Sequence, residues 1–302
     1  MDSAVKRAAP ALLDLPVRGG DLRVAVWEAE PGAPTALLIH GVTSSHLAWS
    51  WVAEQLPGVR LIAPDLRGRG RSAGVAGPAG MIAHADDLAA VLAAVGVDRT
   101  LVVGHSMGGF VALVFAQRHP ERVSELVLVD GGIPLEVPAG MTPEETVAHV
   151  LGPTGERLSM RFATTDDYLG FWHAHPAFDG PWSPLLDEYF AYDLVDDGAG
   201  ALRPATRFET VAEDNVDMTT TTVVPDALAA LAHDARLLTV PRGLAAEPPG
   251  LYSPERLAQV LPQHPRIHHE RIDGFNHYTI VMTDAGAAVV SRAVLDALED
   301  AS

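Results

Sequence analysis

The sequence predicts an α/β protein with a mostly parallel, doubly wound sheet and a helical cap inserted after the sixth core strand. Short apolar runs bounded by glycine, proline and aspartate recur along the chain, and amphipathic patterns with helical spacing lie between them. This alternation stops once, between Asp130 and Ala235, where helical patterns follow one another without strands. We therefore expect a core formed by residues 1–133 and 234–302, and a cap formed by residues 134–233.

The predicted core strands are apolar runs, and those rich in Val, Ile and Leu are typical of strands buried on both faces of a sheet. They cover residues 22–28, 35–40, 60–63, 101–105, 125–130, 235–240 and 266–272. The predicted helices cover residues 82–95, 109–118 and 285–298 in the core, and 143–151, 166–173, 185–193 and 225–233 in the cap. Because ligands of open α/β folds bind at the carboxyl ends of the strands, a cap there would cover the site.

Composition narrows the function classes. The chain has 39 acidic and 21 basic residues and a formal charge of −18, so its field repels phosphate backbones and anionic lipids. We therefore expect neither a nucleic-acid nor a membrane partner. There is no cysteine, which excludes disulfides, thiolate nucleophiles and cysteine metal sites. The amino-terminal segment lacks the long apolar stretch of a signal peptide, and we expect a cytoplasmic, bacterial protein.

Gly104, Ser106 and Gly108 form a G-x-S-x-G motif, which we call the elbow, directly after a predicted strand and directly before a predicted helix. So tight a turn is expected to strain the Ser106 backbone, and the two glycines remove side chains that would clash. The serine hydroxyl would then stand clear of the backbone at a helix amino terminus, which favours developing negative charge. Chance could produce such a string among 27 glycines, but the flanking strand and helix argue against it.

With this motif, the chain resembles the α/β-hydrolase superfamily over nearly its whole length. His40, Gly41 and Val42 look like the H-G-x loop after the third strand of that family. Its next strand-end loop is matched by Pro64, Asp65, Arg67, Gly68, Gly70 and Ser72. The resemblance implies an oxyanion hole made by the backbone amides of Val42 and Met107, with no cofactor and no metal. For the His40 side chain we expect a structural role.

A serine hydroxyl needs a base, and the order of the triad in this family is serine, acid, histidine. His277 follows the last predicted strand and precedes the final helix, which is where this fold presents its base. The neighbouring Asn276 and Tyr278 strengthen the resemblance. His173 and His175 lie in the cap and could touch substrate or bind a metal, but without a nearby carboxylate partner we favour packing.

Two carboxylates compete for the role of triad acid. Most relatives place an aspartate in the loop after the strand predicted here at 235–240, where this chain has only Glu247 before Glu255. Other relatives carry the acid directly after the preceding strand, where this chain has Asp130. We prefer Asp130, because it ends a buried strand and Gly131 and Gly132 leave room around it. Either carboxylate could orient the imidazole, so Glu247 stays open.

The predicted activity is hydrolysis of a carboxylic ester, lactone or thioester of a small molecule through an acyl-enzyme intermediate. A serine at the elbow disfavours the haloalkane dehalogenases and epoxide hydrolases of this fold, which use aspartate. A carbon–carbon bond hydrolase and a non-catalytic ligand-binding homologue remain alternatives. Cap aromatics could line an apolar cleft, although most are expected to form the cap's own core: Phe171, Trp172, Trp182, Tyr189, Phe190 and Tyr192. The oligomeric state stays open between monomer and dimer.

Overall fold

The computed structural model describes residues 7–138 and 140–300 and contains an eight-stranded sheet. The strands are β1 (Ala11–Val17), β2 (Gly20–Trp27), β3 (Thr35–Ile39), β4 (Arg60–Pro64), β5 (Thr100–His105), β6 (Val123–Val129), β9 (Ala235–Thr239) and β10 (Ile267–Arg271). The first two strands are antiparallel to their neighbours, and the other pairings are parallel. Their order across the sheet is β1-β2-β4-β3-β5-β6-β9-β10.

Helices cover both faces of this sheet, as the doubly wound fold class predicts. The core helices are α1 (Ser50–Gln55), α2 (Met81–Ala94), α3 (Met107–Arg118), α10 (Pro254–Val260) and α11 (Asp284–Asp300). Side chains of α2 and α3 belong to one apolar cluster with one face of the sheet, whereas those of α1 and α11 belong to the cluster on the other face. Helix α2 buries the stripe at Leu88, Val91 and Leu92, as its sequence pattern predicts.

Strand β1 is absent from the sequence prediction. Its Leu12 and Leu13 are exposed, and its pairing with β2 places it at the edge of the sheet, so the apolar pattern of a buried strand is missing. Pro16 fits this position, because proline cannot donate to a sheet ladder and is confined mainly to edge strands. An edge strand of this kind is recognised from its hairpin and not from its own burial pattern.

The inserted segment, residues 134–233, lies between β6 and β9 in the chain. Its helices are α4 (Pro143–Leu151), α5 (Pro153–Glu156), α6 (Thr165–His173), α7 (Pro184–Tyr192), α8 (Phe208–Thr219) and α9 (Val223–Ala229). The expectation that it has no strands is wrong, because β7 (Leu194–Asp196) and β8 (Leu202–Pro204) form a small antiparallel sheet. Three residues per strand are too few to produce a recognisable alternation of apolar and polar residues.

Helix α8 was also not predicted from the sequence. Its buried face carries Thr210, Val211, Asp214, Asn215 and Met218, so polar groups interrupt the apolar stripe by which an amphipathic helix is recognised. Across the described residues, no helix is long and apolar enough to cross a membrane.

Candidate active site

Ser106 lies on a sharp turn between β5 and α3. Its φ of 55° and ψ of −124° fall in a region that non-glycine residues rarely adopt, which is the strain that the motif predicts. A Cβ at Gly104 would lie 2.2 Å from the Gly108 carbonyl oxygen, and one at Gly108 would lie 2.0 Å from the Ile39 carbonyl oxygen. Glycine is therefore required on both sides of the serine for the strand and the helix to approach so closely.

Asp130 and His277 are hydrogen-bonded to each other. The Nδ1 atom of His277 lies 2.6 Å from the Oδ2 atom of Asp130, and both side chains are buried. Because an ionised carboxylate can only accept, Nδ1 carries the proton in this pair and Nε2 is left as an acceptor. Asp130 itself has a φ of 44° and accepts a hydrogen bond of 3.3 Å at Oδ1 from the Val240 amide. Its carboxylate is thereby fixed at the carboxyl edge of the sheet.

Ser106 and His277 line the same small cavity, together with Gly41, Val42 and Leu244. The cavity has a volume of only about 20 Å³, room for about one water molecule. It also touches residues of the adjacent loops and of the inserted segment, namely Thr43, Ser44, His105, Tyr189, Tyr278 and Met282. The predicted nucleophile and base thus line the same cavity.

Glu247, the alternative acid, is placed elsewhere. Its Oε2 atom accepts a hydrogen bond of 2.7 Å from the Ala245 amide, and its backbone carbonyl accepts from Gly243, so the carboxylate closes a turn within its own loop. The residue is exposed and lines a separate surface crevice of about 300 Å³. The imidazole of His277 is hydrogen-bonded to Asp130 and not to this carboxylate.

The loop that carries Val42 packs directly against the elbow. A Cβ at Gly41 would lie 3.1 Å from Cβ and 3.4 Å from Oγ of Ser106. The His40 ring holds this loop, because its Nε2 accepts from the Leu66 amide at 2.9 Å and its Nδ1 therefore donates to the Gly41 carbonyl at 2.8 Å. Burial lowers the pKa of His40 to about 4, which keeps the ring neutral and preserves this arrangement of donor and acceptor.

His105 is a contact of the site that the sequence reasoning missed. It is the residue between Gly104 and Ser106 in the elbow motif, and its buried Nε2 atom lies 2.8 Å from the His277 carbonyl oxygen. Burial, together with the neighbouring His277, lowers the pKa of His105, so the ring is neutral and donates through Nε2. The elbow therefore helps to fix the backbone of the histidine that lies 172 positions along the chain.

The inserted segment contributes directly to the walls of the site. Tyr189 donates a hydrogen bond of 3.0 Å to the Ser44 hydroxyl, and Tyr192 donates one of 2.8 Å to Asp65. Asp65 is fully buried and also accepts from the backbone and ring of His46. Burial acts to raise the pKa of Asp65, but the bonds to His46 outweigh it and lower that pKa. The segment is therefore bound to the loop of Ser44, which lines the cavity of Ser106, and to Asp65, which directly follows β4.

A second, inner cavity adjoins the first and shares Thr43, Ser44 and Tyr189 with it. The buried guanidinium of Arg157 lines this cavity and contacts Tyr168 and Asp193. Two aromatic residues also line this cavity, Trp172 and Phe190, and the centroids of their stacked rings are 4.1 Å apart. Most of the aromatic residues of the inserted segment thus pack on one another, as expected, while Tyr189 reaches the cavity of Ser106 and Tyr192 contacts the core.

The two histidines His173 and His175 of the inserted segment lie in this aromatic packing. The His173 ring lies 3.8 Å from the Trp182 ring, and His175 accepts a hydrogen bond of 3.3 Å from the Ala177 amide. In the part of the chain that the structure describes, no group of three His, Asp or Glu side chains is arranged to hold a metal ion.

Comparisons with known proteins agree with this architecture. A family model described as the alpha/beta hydrolase fold matches residues 34–180. Lipase LipV of Mycobacterium tuberculosis is 42% identical over 107 residues, or 35% of this chain and 41% of LipV. A 2-hydroxy-6-oxononadienedioate/2-hydroxy-6-oxononatrienedioate hydrolase of Paraburkholderia phymatum is 34% identical over 120 residues, or 38% of this chain and 42% of that protein. The alignments thus span less than half the length of these curated relatives.

Solved structures match over a longer part of the chain. A thioesterase domain from the curacin biosynthetic pathway superposes with a TM-score of 0.76 at 20% identity, covering 95% of this chain and 100% of that one. E-2-(acetamidomethylene)succinate hydrolase superposes with a TM-score of 0.75 at 18% identity, covering 96% of this chain and 100% of the other. At such identities the likeness concerns the fold.

Proposed function

Since this chain belongs to the α/β-hydrolase superfamily, we propose that it is a serine hydrolase that cleaves an ester, lactone or thioester of a small molecule. The observation that carries the proposal is the union of three features: the strained Ser106, the bond from His277 to Asp130, and the cavity that Ser106 and His277 share. A strained serine beside an oriented imidazole is the arrangement required for covalent acyl transfer.

In the proposed mechanism, Oγ of Ser106 forms a bond to the carbonyl carbon of the substrate while its proton passes to Nε2 of His277. Asp130 keeps the proton of the resulting imidazolium at Nδ1 and stabilises its charge. The backbone amides of Val42 and Met107 bind the carbonyl oxygen as it becomes negative. His277 then gives its proton to the leaving group, which departs. In the second half of the reaction, water loses a proton to His277 as its oxygen bonds to the acyl carbon. The bond to Ser106 then breaks, and Oγ of Ser106 regains the proton from His277.

The narrow cavity favours a small acyl group. As it stands it has room for about one water molecule, so a substrate must displace part of its wall. Leu244 lines both this cavity and the surface crevice of about 300 Å³, which makes the crevice a candidate entrance and a place for the leaving group. We therefore expect short-chain acyl esters to be better substrates than long-chain esters.

The test combines covalent labelling and turnover. A fluorophosphonate should label the wild-type protein at Ser106, and p-nitrophenyl acetate and butyrate should be hydrolysed with an initial burst or steady turnover. Ser106→Ala should abolish both signals while the circular dichroism spectrum stays unchanged. A wild-type protein that is neither labelled nor active on any ester, thioester or lactone would instead favour a non-catalytic binding protein. Turnover restricted to a carbon–carbon substrate, as the name of the Paraburkholderia relative suggests, would favour the second candidate.

A further inference from the structure

We propose that Arg69 is a positioning residue for the oxyanion-binding loop, and that Asp214 on helix α8 of the inserted segment holds Arg69 in place. The role rests on the proposed function, because it concerns the Val42 amide that would stabilise the reacting carbonyl oxygen. It makes the docking of the inserted segment a condition for fast chemistry. Neither residue was predicted to belong to the site, and neither lines the cavity of Ser106 and His277.

Arg69 is fully buried and reaches both residues of the predicted oxyanion hole. Its Nε donates to the Val42 carbonyl at 2.8 Å, and its NH1 group donates to the Arg67 carbonyl at 2.9 Å. Its NH2 group lies 3.7 Å from the sulfur of Met107 and forms an ion pair with Asp214. One planar guanidinium therefore contacts the loop before the elbow, the residue after the nucleophile, and the inserted segment.

The bond to the Val42 carbonyl helps to fix the direction of the Val42 N–H group by holding the peptide unit that follows it. Each peptide unit is planar, so the Val42 backbone has two soft torsions, one on each side of its Cα. The unit on the amino side contains the Val42 N–H and the Gly41 carbonyl, and His40 holds that carbonyl. The unit on the carboxyl side contains the Val42 carbonyl, which Arg69 holds. With both neighbouring units fixed, the amide has little freedom to turn away from the site.

Asp214 compensates the buried charge of Arg69. Both side chains are fully buried, and the carboxylate also accepts from the Gly80 amide at 2.7 Å and pairs with His84 at 2.9 Å. Burial acts to raise the pKa of Asp214, but Arg69 and His84 outweigh it and lower that pKa to about 2. The carboxylate is therefore ionised at neutral pH, and removing its charge leaves a buried guanidinium without compensation.

Helix α8 also supplies a matched control. Three acidic side chains of this helix accept from consecutive backbone amides before and at the start of α2: Glu213 from Ala79, Asp214 from Gly80, and Asp217 from Met81. All three dock the helix, but among them the ion pair with Arg69 belongs to Asp214. A purely structural role would make Asp214→Asn and Asp217→Asn differ only in stability. A positioning role makes them differ in the chemical step.

The decisive variants are Arg69→Lys and Asp214→Asn, with Asp217→Asn as the control. Lysine retains a cation for Asp214 but has no Nε–H fork with which to hold Val42. We expect kcat for p-nitrophenyl butyrate to fall about 10- to 100-fold in the first two variants, with KM changed by less than about threefold, because an oxyanion donor acts on the transition state. The inhibition constant of a trifluoromethyl ketone should rise in parallel. The control should keep kcat within about threefold.

Amide hydrogen exchange gives a readout that does not need activity. Amide exchange across residues 41–44 should be faster in Arg69→Lys than in the wild type and unchanged in Asp217→Asn. Each protein is measured at the same number of degrees below its own thermal midpoint. If the wild type is active but kcat of Arg69→Lys stays within threefold, or if KM changes instead of kcat, the positioning role is wrong. If the wild type is inactive on all acyl substrates, the proposed function is wrong. In that case the role of Arg69 in holding the loop of Val42 is still tested, and it is wrong if amide exchange across residues 41–44 is unchanged in Arg69→Lys.

Discussion

Replacing Asp130 by Asn tests which carboxylate orients the base. In the structure, the Asp130 Oδ1 atom accepts from the Val240 amide and Oδ2 faces Nδ1 of His277 at 2.6 Å. An asparagine keeps its carbonyl oxygen toward Val240, because only the oxygen can accept there. Its NH2 group then faces Nδ1, which must lose its proton and become the acceptor. The imidazole carries its proton on Nε2 instead and cannot take the proton of Ser106.

The magnitude follows from this change of tautomer. Substitution of the aspartate in a serine triad by asparagine lowers kcat by about 10⁴-fold with the geometry intact. Asp130 is buried and its carboxylate is held by two hydrogen bonds, so little reorientation is available to restore the tautomer. We expect a loss of about 10³- to 10⁴-fold, which corresponds to about 4–5.5 kcal/mol of transition-state stabilisation. Glu247→Gln should change kcat by less than about threefold.

The assay is steady-state hydrolysis of p-nitrophenyl butyrate, together with the rate of fluorophosphonate labelling, for both variants and the wild type. Circular dichroism and the thermal midpoint establish that each variant is folded. Both rates should fall together in Asp130→Asn, since each requires an activated Ser106. The reasoning is refuted if Asp130→Asn keeps more than a tenth of wild-type turnover, or if Glu247→Gln loses more than Asp130→Asn does.

Three further substitutions test the surroundings of the nucleophile. The pKa of His40 is lowered from 6.5 in the free side chain to about 4 in the fold. Between these two pH values only the unfolded chain binds the proton, so the free energy of unfolding decreases as the pH falls from 6.5 to 4. Urea denaturation should show that the free energy of unfolding falls by about 2 kcal/mol less in His40→Gln than in the wild type between pH 7 and pH 5. Equal falls in the two proteins would contradict the lowered pKa of His40. Gly41→Ala places a methyl group 3.1 Å from Cβ of Ser106 and should lower kcat about tenfold, whereas turnover at the parental rate would show that the serine adapts. Leu244→Ala joins the crevice to the cavity and should raise kcat/KM for longer acyl chains relative to acetate, measured on an ester series; an unchanged chain-length profile would exclude this entrance.

The parts of the site that the sequence predicts are those encoded over a few neighbouring residues. Ser106 follows a run of buried apolar residues and is bracketed by glycines, so its position on a turn can be inferred locally. His277 is likewise placed by the strand before it and the helix after it. The choice between Asp130 and Glu247 depends on how a loop folds back, and the sequence alone leaves both open. The structure places Asp130 at the imidazole.

Asp214 and Arg69 show why other contacts are missed. They are 145 positions apart in the numbering, and the helix that carries Asp214 buries polar groups where a sequence pattern would require apolar ones. One acid among several in such a helix is read as a solvated charge until its buried partner is known. The His105 contact with the His277 carbonyl joins residues 172 positions apart and has no local signature either. Pairings of this kind depend on tertiary packing.

The placement of Asp130 at the end of β6 has a consequence for how this protein can diversify. The proposed nucleophile, base, acid and oxyanion amides lie outside residues 134–233. That segment instead supplies Tyr189 to the cavity of Ser106 and most of the residues that line the inner cavity. A chimera that exchanges residues 134–233 for a foreign segment would keep the proposed catalytic residues and replace most of the residues that line the inner cavity. If Arg69 has the positioning role proposed above, such a chimera would keep the wild-type kcat only if the foreign segment supplied a carboxylate that pairs with Arg69 as Asp214 does.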